Sequence, residues 1–430
     1  MMNRSIPAVL VILALASAWA CDVRAQKPEN VKGAAYYKKK HYDPVLEDMK
    51  KKREAAAETA AEETARIREA QAKRDEEEKE TRRVLTFDMG DIRVPESPDR
   101  FESAFHFPPV PQYYTGTCWC FATTSFLESE VSRRTGRKIK LSEMYTVYYE
   151  YLEKVRRWVR ERGDSYVAEG SETNAVLRIW DAYGVVPRAA YEGVRAEDGR
   201  YDHEPMMEEI EAWLDRVEAH DLWDEEAVVD AVRLILNRHM GAPPAEFEWD
   251  GARYTPVRFM KEVLEIRPAD YVHVISTLEF PFYTFGEYKV PDNWWRSEDW
   301  YNLPLDEWYG VVRNAAKNGY TVAIGGDVSE PGYQGFEDAA VVAPFDIPGE
   351  FIDQDAREFR FYNRSSTDDH ALHLVGHTRH GGADWFLIKD SARSSRWGDF
   401  EGYYFYRSDY VKLKMLSFTV HRDMMENVMK

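Results

Sequence analysis

The stretch QYYTGTCWCFA, residues 112–122, decides how the rest of the sequence is interpreted. It leads into a predicted helix over residues 118–134, because apolar residues recur there at helical spacing and Gly136 follows as a stop. The first N–H groups of a helix lack intrahelical acceptors, and the helix dipole is positive there, so a thiolate is stabilised. Cys118 is therefore a candidate nucleophile, with a buried structural cysteine as the alternative. Cys120 is expected to be a small core residue.

A nucleophilic cysteine needs a base, and the base needs a group that orients it. His370 opens a predicted strand after a polar run, where a histidine is well placed to face a cleft. Asp390 follows a second apolar strand at residues 385–388. Adjacent antiparallel strands would bring His370 and Asp390 together. The alternatives are a surface histidine at a strand end and an aspartate that forms a turn.

Four histidines lie close together in sequence between residues 370 and 380. Strand alternation puts His370 and His373 on opposite faces, and the sequence contains neither an HExxH nor a CxxC motif. We therefore expect no metal and no cofactor.

Composition limits the class of protein. The 430 residues are 44% hydrophobic and 14% aromatic, which excludes global disorder. The formal net charge of −19 argues against nucleic acid as a partner, since a sequence-independent grip on a phosphate backbone needs clustered Lys and Arg. With only three cysteines, a disulfide framework is excluded.

Residues 1–25 are predicted to be an export signal. Arg4 precedes an apolar run over residues 6–20 that is too short for a spanning helix, and small-x-small cleavage patterns end at Ala20 and Ala25. A buried N-terminal helix is one alternative, and lipidation of Cys21 with membrane anchoring is another. The mature protein is expected in the periplasm or outside the cell.

Residues 26–84 are predicted to be a charged helical spacer. Ala, Glu, Lys and Arg dominate residues 45–84, which contain no Gly or Pro, and this favours helix. Apolar residues are too sparse for a sustained heptad seam, so a solvated single helix is expected. A partner-binding coiled coil is the alternative.

Residues 85–430 are predicted to form an α+β domain. Helical patterns dominate up to about residue 239, and strand patterns dominate from Val272 onward. This order predicts two packed lobes, and the cleft between them is the default place for a site.

The quoted stretch resembles the nucleophile segment of papain-type cysteine peptidases. In that pattern a Gln stands six residues before the Cys and Gly-x-Cys-Trp introduces the helix, as Gln112 and residues 116–119 do here. Residues 141–145, 170–187 and 318–328 resemble more specifically the bleomycin hydrolase, or aminopeptidase C, branch. The resemblance covers most of residues 108–423. It implies a two-lobed papain-like fold, enlarged by insertions.

The resemblance also implies roles for four residues. Cys118 would be the nucleophile, His370 the general base and acid, and Asp390 the group that orients His370. Gln112 would donate to the oxyanion together with the Cys118 backbone N–H. The implied substrate is a peptide or an unfolded protein. Whether the protein forms a homo-oligomer stays an open question at this point.

Two positions depart from the family pattern. The orienting residue is usually Asn, and here it is Asp390. The Trp that usually follows and shields the histidine is replaced by Ala392, and Trp397 is a candidate substitute for it.

Three classes of function stay open at this point. A secreted cysteine peptidase is the expected one. An acyltransferase of the transglutaminase or arylamine acetyltransferase type is the second, and Asp390 favours it. A catalytically inactive binding protein is the third, and the intact Gln112, Cys118 and His370 argue against it.

The end of the sequence bears on the type of peptidase. In the bleomycin hydrolase branch a C-terminal arm lies in the cleft and restricts cleavage to free N-termini. Here residues 421–430 follow the last predicted strand, and residues 424–430 are predicted to be a short helix rather than an extended arm. We therefore expect an open cleft and endopeptidase activity, with an aminopeptidase restricted by its C-terminus as the alternative.

Overall fold

The computed structural model describes residues 32–33, 35–193 and 198–429. The predicted export signal and Cys21 lie outside the described residues. Among the described helices, none combines the length and the apolar character needed to cross a bilayer. The chain divides into two compact units, with the boundary between Arg83 and Val84.

The first unit contains one long helix, α1 (Pro44–Thr81), of 38 residues. Asp43 caps its start, since the Asp43 carboxylate accepts a hydrogen bond from the Val45 N–H at 2.8 Å. No residue of α1 is buried within this unit, and exposed pairs such as Lys52 with Asp48, 2.7 Å apart, lie along its surface. Within this unit the charged stretch is therefore an exposed helix, and its role as a solvated spacer stays a prediction.

The second unit begins with helices. Its helices are α2 (Cys118–Thr135), α3 (Glu143–Arg160), α4 (Thr173–Tyr183), α5 (Glu204–Ala219), α6 (Glu225–Met240), α7 (Pro256–Glu262), α8 (Leu305–Lys317), α9 (Gln354–Tyr362) and α10 (Ser408–Lys414). The last part of the predicted helical region, up to residue 239, consists of two helices, α5 and α6. Asp224 caps the start of α6, since its carboxylate accepts a hydrogen bond from the Ala227 N–H at 3.0 Å.

Strands dominate the later part of the second unit. They are β1 (Glu102–Ser103), β2 (Phe247–Trp249), β3 (Ala252–Tyr254), β4 (Tyr271–Ile275), β5 (Phe285–Gly286), β6 (Trp300–Asn302), β7 (Val322–Gly326), β8 (Tyr333–Gln334), β9 (Ala339–Ala340), β10 (His370–His380), β11 (Ala383–Lys389), β12 (Tyr403–Arg407) and β13 (Met415–His421).

Two cores give the second unit its two lobes. Helices α2 to α7 enclose one core, and α8 and α10 pack with the central strands around another. The sheet has 11 strands, in the order β5-β6-β4-β13-β7-β10-β11-β12-β9-β8, with β1 added to β10. Strands β2 and β3 form a separate hairpin. The predicted α+β fold with a helical lobe and a β lobe is confirmed.

Helix α2 lies between the lobes and is buried along most of its length. It packs against α3 and α4 on one side and against β7 and β10 on the other. Within this contact the Ser125 hydroxyl bonds to Nδ1 of His373 at 2.8 Å and accepts from the Lys389 ammonium at 2.7 Å. Because His373 lies on β10 and Lys389 ends β11, these bonds fix α2 relative to both strands.

A buried ionic group joins α2 to α3. Lys140 contacts Glu128 at 2.9 Å and Glu143 at 2.6 Å, and both carboxylates are almost fully buried. Burial acts to lower the pKa of Lys140, but the two carboxylates outweigh it and raise that pKa well above its usual value. Lys140 is therefore the charged partner that two buried carboxylates require.

We predict that Lys140→Met lowers the free energy of unfolding by about 3 kcal/mol, because it leaves two buried carboxylates without their cation. Urea denaturation followed by circular dichroism measures the change. Lys261→Met, at an exposed lysine of α7, is the matched control. Equal unfolding midpoints for the two variants would contradict the prediction.

Candidate active site

Cys118 is the first residue of α2 and is partly exposed, whereas its neighbour Trp119 is fully buried. The loop before it approaches a second loop closely, since a Cβ on Gly116 would lie 2.9 Å from the Cβ of Glu169. A side chain at residue 116 would therefore push the two loops apart. The thiol of Cys118 is presented at a helix start, where backbone N–H groups are unpaired.

Glu169 positions this loop, and no pattern in the sequence singled it out. Its carboxylate accepts from the Gly116 N–H at 2.9 Å and from the Tyr151 hydroxyl at 3.4 Å. Its backbone carbonyl accepts from the Trp119 indole N–H at 3.0 Å. Glu169 thus holds the chain on both sides of Cys118, a role that depends on a contact across 50 residues of sequence.

His370 and Asp390 are brought together by the pairing of β10 with β11. His373 pairs with Lys389, which places Asp390 on the same face as His370. Nε2 of His370 lies 2.7 Å from a carboxylate oxygen of Asp390, and both side chains are buried. This bond leaves Nδ1 of His370 for the proton of Cys118.

The electrostatics of this group favour a charged imidazole. Burial acts to lower the pKa of His370, but the negative charges of Asp390 and Cys118 outweigh it and raise that pKa well above its usual value. Burial acts to raise the pKa of Asp390, and the His370 charge lowers it below its usual value. The structure therefore favours an imidazolium that is paired with the Asp390 carboxylate.

Tyr333, which was not predicted from the sequence, contacts the carboxylate of Asp390. The Tyr333 hydroxyl donates to Asp390 at 3.3 Å, and its ring stacks on Tyr404 with centroids 4.4 Å apart. Trp397, the candidate shield, is instead 56% exposed and stacks on Phe336. The ring beside the His370–Asp390 pair therefore comes from the segment around β8, far from the position that the family pattern indicates.

Gln112 lies next to the end of β11. Its carbonyl oxygen accepts from the Ser391 hydroxyl at 2.7 Å, and its amide nitrogen donates to the Thr115 carbonyl at 2.6 Å. The amide carries two hydrogens, and the second has no acceptor among the described residues. Gln112 is thus held between the loop before Cys118 and the segment after Asp390, with one donor left over.

The other candidates of the sequence occupy structural positions. Cys120 is fully buried, and its thiol contacts the Glu143 carbonyl at 3.2 Å, so it is the core residue that was expected. His373 contacts Ser125, and His377 bonds to Asp384 at 2.8 Å. Within the described ranges, no three His, Cys, Asp or Glu side chains form a group that could hold a metal ion.

Residues after β13 pack on the β lobe. Arg422–Met425 forms a 3₁₀ turn, which replaces the predicted helix over residues 424–430. Met425 is fully buried in the same core as α8, and Met424, Val428 and Met429 pack against that core.

Comparison with solved structures identifies the architecture. PepW from Lactobacillus rhamnosis superposes with a TM-score of 0.60 over 77% of this chain and 85% of that protein, at 16% identity. The chain has a papain-like fold. At this identity the likeness concerns the fold alone.

Two curated proteins are similar in sequence. Aminopeptidase C of Streptococcus thermophilus is 23% identical over 260 residues, which are 51% of this chain and 58% of that protein. Aminopeptidase C of Lactococcus lactis is 24% identical over 201 residues, or 39% and 46%. The chain thus spans about half the length of these relatives. No family model matches it. The resemblance to the aminopeptidase C branch of papain-like proteins is confirmed.

We predict that Asp390→Asn lowers the pKa of His370, because the variant removes the anion that stabilises the imidazolium. NMR titration of protein with labelled histidine rings measures the shift. Tyr333→Phe, which removes one hydrogen bond but keeps the carboxylate, is the control and should shift the pKa less. An unchanged His370 pKa in Asp390→Asn would show that another group stabilises the charge.

Proposed function

We propose that this protein is a cysteine peptidase that hydrolyses peptide bonds through an acyl-enzyme on Cys118. The observation that carries the proposal is the 2.7 Å bond between the buried side chains of His370 and Asp390. The pKa of the same His370 imidazole is also raised by Cys118. The papain-like fold and the relatives named Aminopeptidase C support it.

In the proposed acylation step Cys118 is the nucleophile, and His370 acts first as a base and then as an acid. His370 takes the proton of the Cys118 thiol, and the thiolate attacks the carbonyl carbon of the substrate. The oxyanion that forms accepts from the Cys118 backbone N–H and from the free donor of Gln112. As the C–N bond breaks, His370 gives its proton to the leaving amine, and the acyl group stays on Cys118.

Hydrolysis of the acyl-enzyme reverses the roles. His370 takes a proton from water, and the hydroxide attacks the thioester carbonyl. The C–S bond breaks, the substrate leaves as a carboxylic acid, and the proton returns to Cys118. Because Asp390 keeps the imidazolium stable, its charge sets the upper pH limit of this cycle.

We propose endopeptidase action. Of the described residues after β13, Met424, Met425, Val428 and Met429 pack on the core around α8, so these residues are not available as an arm that would restrict cleavage to free N-termini. The pattern of residues 1–25 supports a further proposal, that the protein acts outside the cytoplasm.

We predict that Cys118→Ala abolishes cleavage of fluorogenic peptides, because no other partly exposed thiol occurs in the described chain. Cys120→Ala, the matched control, should stay active, since the Cys120 thiol is buried against the Glu143 carbonyl. Full activity of a folded Cys118→Ala protein would refute the proposal.

The same assay tests the acyltransferase alternative, which the carboxylate at Asp390 favours. A primary amine is added during turnover, and the products are separated by mass. Amide product in excess of free acid would assign acyl transfer, and free acid alone assigns hydrolysis.

We predict that Gln112→Glu lowers kcat by about 10²–10³-fold, with a smaller change in KM, because an oxyanion donor acts mainly in the transition state. Glutamate keeps the shape and the acceptor for Ser391 but loses the donor. Ser391→Ala, which removes only the bond to the Gln112 carbonyl, is the control and should lose far less. A change confined to KM would assign Gln112 to substrate binding.

A further inference from the structure

Three carboxyl groups lie near one another beside the proposed site, and the proposed reaction uses none of them. Glu172 immediately precedes α4, Asp292 lies between β5 and β6, and Asp368 comes two residues before His370. They come from three separate parts of the chain, so no sequence motif joins them.

Two glycines lie against these carboxylates, and a larger side chain at either position would crowd them. A Cβ on Gly170 would lie 2.5 Å from a carboxylate oxygen of Asp292, and a Cβ on Gly325 would lie 3.3 Å from one of Asp368. Gly170 also borders the nucleophile loop, because a Cβ on Gly116 would lie 3.7 Å from its nitrogen. The group therefore extends from the loop before Cys118 to strand β7.

The carboxyl group of Glu172 has no partner among the described residues. Its side chain is 5% exposed and does not cap α4, and it forms no hydrogen bond or ion pair with any residue in the described part of the chain. Buried carboxylates are normally paired, because an unpaired buried charge is costly. An unpaired one beside a nucleophile indicates that the partner is supplied from outside.

The nearby cation does not fill this role. The Lys154 ammonium donates to the backbone carbonyls of Ala168, at 2.6 Å, and Gly170. Asp368 accepts from the Tyr288 hydroxyl at 2.6 Å, which is a neutral donor. No Lys, Arg or His side chain of the described residues lies within ion-pair distance of Glu172, Asp292 or Asp368.

The acid–base behaviour agrees with this geometry. Burial, and then the charges of Asp368, Asp292 and Cys118, raise the pKa of Glu172 well above its usual value. Burial likewise raises the pKa of Asp368 to about 7. Without a cation nearby Glu172 therefore favours its protonated form, and a bound cation would favour the ionised form.

We infer that Glu172, Asp292 and Asp368 bind a positively charged group of the substrate, an ammonium or guanidinium, while Cys118 attacks a nearby carbonyl. The inference rests on the proposed peptidase function and adds a substrate class to it. The three groups do not form a site that could hold a metal ion, whereas an organic cation can bridge more widely spaced acceptors. The cation comes from a lysine or arginine side chain or from a free α-amine.

Paired peptides test the inference. Fluorogenic substrates carry lysine or its neutral analogue norleucine at each of the two positions before the cleaved bond, with the N-terminus acetylated or free. We expect kcat/KM of the unmodified protein to favour the cationic member by about 10-fold or more, the range of a hydrogen bond to a charged group. Glu172→Gln should lower that ratio by about 10-fold.

Two further variants keep the result interpretable. Asp292→Asn should lower the ratio in the same direction, which guards against a folding defect in one variant. Asp181→Asn removes an exposed carboxylate of α4 and should leave the ratio as it is. Melting temperatures measured alongside identify any variant that is unfolded.

The outcomes separate the two proposals. Dependence on Glu172 with acetylated lysine peptides assigns the site to a side chain, and dependence only with free N-termini assigns it to the α-amine. Equal cleavage of charged and neutral peptides by the unmodified protein, with no effect of Glu172→Gln, overturns the inference and leaves the peptidase intact. No cleavage of any peptide by the unmodified protein overturns both.

Discussion

The site depends on one constraint, the position of helix α2 between the two lobes. Cys118 belongs to the helical lobe, whereas His370 and Asp390 belong to the sheet. Ser125, near the middle of α2, bonds to side chains of both β10 and β11. Because these bonds are buried and directional, a small shift of the helix would break them, and the distance from thiol to imidazole is set with them.

The protein places buried carboxylates in two different environments around the same cysteine. Asp390 has a partner for each oxygen, from His370, the Ala392 N–H and the Tyr333 hydroxyl. Glu172 has none among the described residues. The first arrangement makes an ion pair with a fixed geometry, and the second leaves a carboxyl group whose ionised form a bound cation would stabilise.

The sequence was informative where the placement of a residue follows from local pattern. Cys118 is marked by its helix start, and His370 and Asp390 are marked by their places at strand ends, which antiparallel pairing then joins. The contacts of Glu169 and Tyr333 were not predictable, because each links loops that are distant in sequence and have no periodicity. Trp397 is close to Asp390 in sequence, but its ring stacks on Phe336 instead of covering the His370–Asp390 pair. Proximity in sequence therefore did not predict its contact.

The different surroundings of the two cysteines also bear on oxidation. A thiolate that is paired with an imidazolium reacts with peroxide as well as with carbonyl groups, and the first product is a sulfenic acid. Cys120 is fully buried and bonded to a carbonyl, and burial raises its pKa well above the usual value. It therefore cannot condense with an oxidised Cys118 to form a protective disulfide. Among the described residues no third cysteine is present, so a thiol from outside this part of the chain would have to restore an oxidised Cys118.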